Sequence, residues 1–301
     1  VTAVGGRPHA ETEALAEAGE LARGATAYVT LEPCAHHGRT PPCAEALAVA
    51  GIRRVVGAAS DPDPRVSGKG YAILREAGVE VTERVLAADA SDQLAGYLMR
   101  SLRKRPEVTL KMALSSDGKI GARGEGQVPI TGEVARREVH LMRAQADAIL
   151  IGIGTALEDD PELTVRLPGL ENRSPARIVL DSDIRLPVHA RLVSGIDRVP
   201  LYVAASLEAD AQKRLELERR GVRFIGTELH DGRIALPELL DDLAALGMSS
   251  LIVEGGAAVA RSFLDEGLVD RIVLFHGPVE VGAQGIDVPI GPDRIPPGFR
   301  K

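Results

Sequence analysis

Three distinctive side chains, far apart along the chain, constrain its folding most: His9, followed closely by Glu11, and the only two cysteines of 301 residues, Cys34 and Cys43. A catalytic zinc ion takes three protein ligands and keeps a fourth position for water. One histidine and two cysteines supply that number. Local patterning places His9 just before a helix, with Glu11 in its first turn. Cys34 comes after a strand and Pro33, and Cys43 lies at the start of the next helix. For the three to share one ion, the chain must bring two helix N-termini and a strand end together. The positive ends of those helices favour thiolate over thiol. Zinc lowers the pKa of its water to about 7, and Glu11 is placed to take that proton and return it to a leaving amine.

Helical and strand-like segments alternate almost throughout, the pattern of an α/β protein. In the first third, helices are predicted over 11–23, 43–50, 71–77 and 93–104, with strands over 25–31, 53–59 and 79–85. The basic cluster Arg100, Arg103, Lys104 and Arg105 before Pro106 is the best domain boundary, so domains are expected over 1–104 and 105–301. In the second domain strands are predicted over 108–114, 148–151, 177–180, 201–204, 250–253 and 271–275. Helices are predicted there over 133–146, 207–220, 237–246 and 258–266. The net charge of −7 and the 3% aromatic content, without tryptophan, argue against nucleic acid as a partner. No apolar run is long enough to span a bilayer. Two cysteines make no disulfide framework, so a reducing cytoplasm is expected.

Taken singly, each feature of the metal set has an ordinary reading. A histidine near a helix start caps it, and a lone cysteine packs as a small apolar residue. Taken together they match the His-x-Glu…Pro-Cys…Cys signature of zinc deaminases, with one departure. That signature has two residues between its cysteines, and here 35–42 makes eight. His9-Ala10-Glu11 with Thr30-Leu31-Glu32-Pro33-Cys34-Ala35-His36-His37-Gly38-Arg39-Thr40-Pro41-Pro42-Cys43 closely resembles the deaminase half of the bifunctional RibD family of riboflavin biosynthesis, where the longer spacing is normal. The resemblance implies that His9, Cys34 and Cys43 bind Zn2+, that Glu11 shuttles the proton, and that His36 and His37 shape the substrate pocket. Asp61-Pro62-Asp63-Pro64 and Gly68-Lys69-Gly70 also look like loops of this family. Lys69 would meet a substrate phosphate, and an ordinary polar turn is an equal reading.

The second half lacks a Gly-x-Gly-x-x-Gly fingerprint, because Gly152-Ile153-Gly154 has no third glycine. Val253-Glu254-Gly255-Gly256 places two glycines between a strand and a helix, where exposed N–H groups suit a pyrophosphate. With Lys111-Met112-Ala113-Leu114-Ser115-Ser116-Asp117-Gly118, Ile130-Thr131-Gly132, the run from Gly154 to Pro161, and Leu163-Thr164-Val165-Arg166, it looks like the reductase half of the same family. The resemblance implies an α/β architecture in two parts: an incomplete cytidine-deaminase-like αβα domain, then a dihydrofolate-reductase-like α/β domain that uses NADPH. By position, Leu114, Pro129, Thr155, Asp159, Ser182, Gly255 and Gly256 would touch the cofactor. Gln127, Arg143, Leu163, Arg166 and Glu254 would hold the sugar phosphate. Around Gly126-Gln127-Val128-Pro129 the chain departs from the commoner family pattern of Ser and Trp before Ile-Thr.

The expected activities are hydrolytic deamination of a diaminopyrimidinone ribosylamine phosphate and NADPH-dependent reduction of its ribosyl group to ribityl. The partner is a small molecule, with neither nucleic acid nor membrane; a homo-oligomer is compatible with the sequence. Two rivals stand beside this expectation: a nucleic-acid base deaminase, and a reductase with a structural zinc domain. The second rests on the Val1 start, since the family carries a helix and a strand pair before His9. The C-terminal Pro296-Pro297-Gly298-Phe299-Arg300-Lys301 is likewise expected to stop before the family's last strand. Exposed strand edges unsettle a core, so an impaired deaminase is expected.

Overall fold

The computed structural model describes residues 2, 6–37, 41–122, 124, 126 and 128–290. The chain divides into two compact units, Val1–Arg103 and Lys104–Lys301.

The first unit is built on a three-stranded parallel sheet in the order β1 (Thr26–Leu31), β2 (Arg54–Ala59), β3 (Glu80–Thr82). Helices α1 (Ala10–Ala18), α2 (Cys43–Val49) and α3 (Lys69–Glu76) alternate with these strands, and α4 (Ala87–Gln93) and α5 (Ala95–Arg103) follow. Parallel neighbours need a crossover, and helices supply it. The core is small: Ala44 and Leu47 of α2, Tyr71 and Leu74 of α3, and Val55 of β2 join Ala22, Ile52 and Val79. The predicted helix over 11–23 breaks at Gly19, which takes a left-handed φ of 52°, and continues as a 3-10 turn over Gly19–Ala22. Glycine adopts that region without a Cβ clash.

The second unit carries a seven-stranded parallel sheet in the order β13-β4-β12-β6-β7-β8-β9. In chain order its elements are β4 (Glu107–Leu114), β5 (Lys119–Ala122), α6 (Glu133–Gln145), β6 (Ala148–Gly152), α7 (Ile153–Asp159), β7 (Ala176–Leu180) and α8 (Arg191–Ser194). Then come β8 (Leu201–Ser206), α9 (Ala211–Glu218), β9 (Arg223–Thr227), β10 (Leu229–His230), β11 (Arg233–Ile234), α10 (Leu236–Ala245), β12 (Ser250–Val253), α11 (Ala257–Asp265), β13 (Arg271–His276) and β14 (Gly285–Asp287). An all-parallel sheet is covered on both faces, and side chains alternate between them. Ala148 and Leu150 of β6 therefore join Val108, Leu110 and Met112 under α10 and α11. Ile149 and Ile151 join Val179, Leu201 and Val203 under α7, α8 and α9. Leu236, Leu239, Leu240 and Leu243 make one apolar stripe on α10, the spacing a half-buried helix needs. No helix among the described residues is long and apolar enough to cross a membrane.

The strand order reverses at β12. After β9 the chain returns and inserts β12 between β4 and β6. In open α/β sheets ligands bind beyond the carboxyl ends of strands at such a switch point. Leu114, Gly152 and Glu254 lie at or just past those ends.

Candidate metal centre and dinucleotide site

His9 is the N-cap of α1 in extended conformation, and its carbonyl accepts the amide of Glu13 at 3.1 Å. Cys43 is the first residue of α2, after Pro42. Cys34 lies past the end of β1, where its Sγ accepts the Cys43 amide at 3.2 Å and its carbonyl accepts that of Ala44 at 3.2 Å. These bonds lock the two cysteines into one turn. His9 Nδ1 then stands 3.3 Å from Cys43 Sγ and 3.6 Å from Cys34 Sγ. A tetrahedron with Zn–S near 2.3 Å and Zn–N near 2.0–2.1 Å has N···S edges of about 3.6 Å. The donor set and its spacing therefore fit a zinc ion.

The electrostatics agree with that fit. A hydrogen bond from the Cys43 thiol lowers Cys34 to about 5, against the opposing effect of burial. Cys43 is pushed up because it donates to Cys34 and because it is buried. One thiolate is thus already favoured, and a divalent cation removes the second proton. Burial raises the carboxyl of Glu11 above its ordinary value, partly offset by its own backbone N–H and by His9.

Glu32 is a supporting residue that the sequence reading passed over. It is buried directly before Pro33 and Cys34, and its two carboxylate oxygens accept the amides of Gly68 and Gly70, each at 3.1 Å. A Cβ on Gly70 would lie 2.0 Å from the Pro33 carbonyl oxygen, so this loop packs against the ligand turn only as glycine. A glutamate beside the Pro-Cys pair was the available signal. Lys69, between these glycines, donates to the Pro64 carbonyl at 2.8 Å, so its own loop holds it. Asp61 is buried and accepts from Tyr97 Oη at 3.0 Å on both oxygens. His36 Nδ1 is buried without a hydrogen-bond partner among the described residues, while His37 pairs with Glu45 at the surface.

In the second unit a charged group lies at the end of β12. Glu254 faces Arg143 of α6 in a two-bond fork, at 2.8 Å to Nε and 3.0 Å to Nη2. Lys111 of β4 approaches the same carboxylate at 3.5 Å. The side chains of Arg143 and Glu254 are only 12% and 9% exposed. Burial pushes the Glu254 carboxyl up, but the charges of Arg143 and Lys111 outweigh it and hold the group at about 2. Lys111 is the second residue that sequence reasoning missed. Arg143 also donates to the Thr164 carbonyl at 3.3 Å. The neighbouring Leu163 is buried with a left-handed φ of 57°.

The starts of α7 and α11 converge through a hydrogen bond from the Gly256 amide to Thr155 Oγ1 at 3.1 Å. That amide, expected to face a pyrophosphate, therefore already has a partner. Val259 explains the glycines. A Cβ on Gly255 would come within 2.7 Å of Val259 Cβ, and one on Gly152 within 2.6 Å of its Cγ2. Leu114 ends β4, buried. Asp159 ends α7, half-buried, its carboxyl raised by burial and by Glu158. Ser182 follows β7 and donates to its neighbour Asp183 at 3.3 Å. Arg166 is exposed, and Pro129 lies at the surface. Gln127 falls outside the described residues.

Comparison with known proteins places both units. Residues 106–296 match the RibD C-terminal domain, and residues 3–59 match the cytidine and deoxycytidylate deaminase zinc-binding region. The riboflavin biosynthesis protein RibD of Aquifex aeolicus is 40% identical over 283 residues, which cover 94% of this chain and 77% of that protein. The Escherichia coli protein of the same name is 40% identical over 291 residues, covering 92% and 77%. The solved structure of Acinetobacter baumannii RibD superposes with a TM-score of 0.82 at 38% identity, covering 93% of this chain and 76% of that one. A Thermotoga maritima diaminohydroxyphosphoribosylaminopyrimidine deaminase/5-amino-6-(5-phosphoribosylamino)uracil reductase gives 0.81 at 34%, covering 98% and 81%. With a deaminase zinc-binding region preceding a RibD C-terminal domain, and such relatives along nearly all of its length, the chain belongs to the RibD family of riboflavin biosynthesis proteins.

Proposed function

We propose that residues 1–104 form a zinc-dependent pyrimidine deaminase and residues 105–301 an NADPH-dependent reductase. As a RibD-family member the chain is a bifunctional riboflavin biosynthesis enzyme, a hydrolase and an oxidoreductase with Zn2+ and NADPH as cofactors. It deaminates 2,5-diamino-6-ribosylamino-4(3H)-pyrimidinone 5′-phosphate and then reduces the ribosyl side chain to ribityl. The observation that carries the reading is the distance from His9 Nδ1 to the two cysteine sulfurs, 3.3 and 3.6 Å, with Glu11 in the first turn of the helix that His9 caps.

In the first reaction His9, Cys34 and Cys43 would hold the ion. Bound zinc supplies an electrophilic centre that makes water nucleophilic near neutral pH. Glu11 would take a proton from the attacking water on its carboxylate and deliver it to the departing amine. A carboxyl raised by burial suits both steps. His36 and His37 shape the pyrimidine pocket. In the second reaction NADPH supplies a hydride. Leu114, Pro129, Thr155, Asp159, Ser182, Gly255 and Gly256 orient the dinucleotide at the switch point. Gln127, Arg143, Leu163, Arg166 and Glu254 hold the sugar phosphate, and Lys111 keeps Glu254 ionised beside it.

The partner is a small pyrimidine ribosyl phosphate and not a nucleic acid, in keeping with the net charge of −7. Both cysteines are free thiols, which fits the cytoplasm. A homo-oligomer is compatible with this reading. A paired assay tests it: ammonia release from the diaminopyrimidine, and NADPH oxidation with the deaminated product. We expect both from the wild-type chain, and Glu11→Gln should lose ammonia release at least 10³-fold, roughly the scale of a lost general base, while keeping its zinc. Ammonia release surviving in Glu11→Gln refutes the proton-transfer role, and an inert wild type in the second assay refutes the reductase.

A further inference from the structure

The hairpin that precedes α10 carries a polar cluster that neither reaction uses. β10 and β11 pair antiparallel, with His230 opposite Arg233. Asp231 and Gly232 join them with φ of 50° and 74°, the left-handed pair that a two-residue hairpin turn requires. The Glu228 carbonyl accepts the Ala235 amide at 3.2 Å. Ile234, Ala235 and Leu236 are buried, so the hairpin is anchored in the core. Glu228 and His230 are alternate residues of an extended segment, which puts their side chains on one side. Glu238, in the first turn of α10, comes to the same place.

The carboxylates of Glu228 and Glu238 and the imidazole of His230 each offer a ligand atom, and these atoms lie within 4.8 Å of one another. Stability does not account for the gathering. His230 Nε2 and Glu238 Oε1 are 3.7 Å apart, with side chains 71% and 53% exposed, and such surface pairs contribute little. Two carboxylates this close repel unless a cation lies between them. Glu238 suits the positive start of α10, but Glu228 has no such reason to be there. His230 and Glu238 also line a cavity of about 470 Å³ together with Arg233 and Glu266. Burial raises the Glu266 carboxyl, and the charges of His230 and Arg233 offset it. One imidazole nitrogen and two carboxylate oxygens suit a divalent transition ion such as Zn2+ or Co2+, rather than Mg2+ or Ca2+, which take oxygen donors. Around such an ion the donors stand about 3.3 Å apart, and exposed side chains reach that spacing by changing rotamer.

We propose that Glu228, His230 and Glu238 form a second metal site, which binds a divalent transition ion at the surface of the second unit. Its ligands share no residue with the set His9, Cys34 and Cys43. The ion ties the β10–β11 hairpin to α10, and the cavity beside it leaves its other positions open to water or a small anion. NADPH oxidation does not depend on it.

The test loads the metal-free full chain with Co2+ by equilibrium dialysis, counting bound metal while absorbance is read. Charge transfer from thiolate to Co2+ marks an ion on Cys34 and Cys43; an ion on one imidazole and two carboxylates lacks that band. Wild type should bind two ions per chain, only one of them bringing the thiolate band. In His230→Ala and in Glu238→Gln the affinity for the second ion should fall at least about tenfold, the floor for disturbing even a hydrogen-bonding neighbour of a metal ligand. The thiolate band and NADPH oxidation should stay unchanged in both. Glu266→Gln, which alters the cavity wall and no ligand, should keep both ions. A wild type that binds one ion, with the thiolate band, overturns the proposal, as does a second ion held at full affinity by both His230→Ala and Glu238→Gln. A chain that takes up one ion without any thiolate band, and loses it in His230→Ala, keeps this site and refutes instead the metal centre of the first unit.

Discussion

At Glu254 two opposing influences act on one carboxyl, and their balance sets a pH dependence. Burial favours the neutral acid; Arg143 and Lys111 favour the anion and win, so the folded group titrates at about 2 against an ordinary 4.5. A folded pKa below the unfolded one gives stability that is present above 4.5 and is lost as pH falls toward 2. The full difference is on the order of 3 kcal/mol. Glu254→Gln removes this dependence, so its stability deficit against wild type should shrink by about 2 kcal/mol between pH 7 and pH 3, mostly below pH 5. Urea unfolding of the two chains across that range measures it, and a deficit independent of pH contradicts the charge argument. The same residue shows why parts of the site were illegible. His9, Cys34 and Cys43 stand out because their chemistry is rare in the chain. Lys111 sits in the alternating strand Lys111-Met112-Ala113-Leu114, where a lysine at every other position reads as a solvent-facing residue. Only the fold brings it to Glu254, 143 positions away.

Among the elements, the Gly255-Gly256 turn from β12 into α11 owes its first glycine to one neighbour. Neither glycine needs a left-handed backbone, since Gly256 has φ −68° and Gly255 is not among the positive-φ residues. What Gly255 needs is room for Val259, which crowds both Gly152 and Gly255. Gly255→Ala should therefore cost about 1–3 kcal/mol by overpacking and weaken NADPH binding. Trimming the neighbour in the double variant Gly255→Ala/Val259→Ala should recover much of the binding. Gly256→Ala, whose Cβ would meet only Thr155 Oγ1 at 3.3 Å, should be milder. Thermal midpoints and NADPH fluorescence titrations rank the three; no recovery in the double variant removes Val259 as the cause. The sequence announces this turn as a place for backbone amides, and the Gly256 amide meets Thr155 Oγ1 there. It also concealed α7. Gly152-Ile153-Gly154 reads as an incomplete dinucleotide fingerprint, yet Ile153 and Ala156 are buried and draw the chain into a helix immediately after the strand. The predicted helix over 207–220 begins only at Ala211, because Asp210 caps it by accepting the amides of Gln212 and Lys213.

For the whole molecule, each unit has its own core, and the two cores differ in size. One cluster of eight buried side chains among the described residues, largely Ala, Val and Leu, supports the first unit. Two clusters on opposite faces of a seven-stranded sheet support the second. A small core gains most from a metal, because binding to a site absent from the unfolded chain adds directly to folding free energy. The ligands also join α1, the end of β1 and α2, three of the first unit's main pieces. Zinc removal should therefore act on one unit and spare the other. In calorimetry, a chelator should lower or abolish the transition of the first unit, with loss of ammonia release. The transition of the second unit and NADPH oxidation with the deaminated substrate should persist. Adding zinc back should restore ammonia release as the first transition returns. A chelator that ends NADPH oxidation as well, without binding the dinucleotide site, would show that the metal supports the whole chain and that the two activities are not separable by unit.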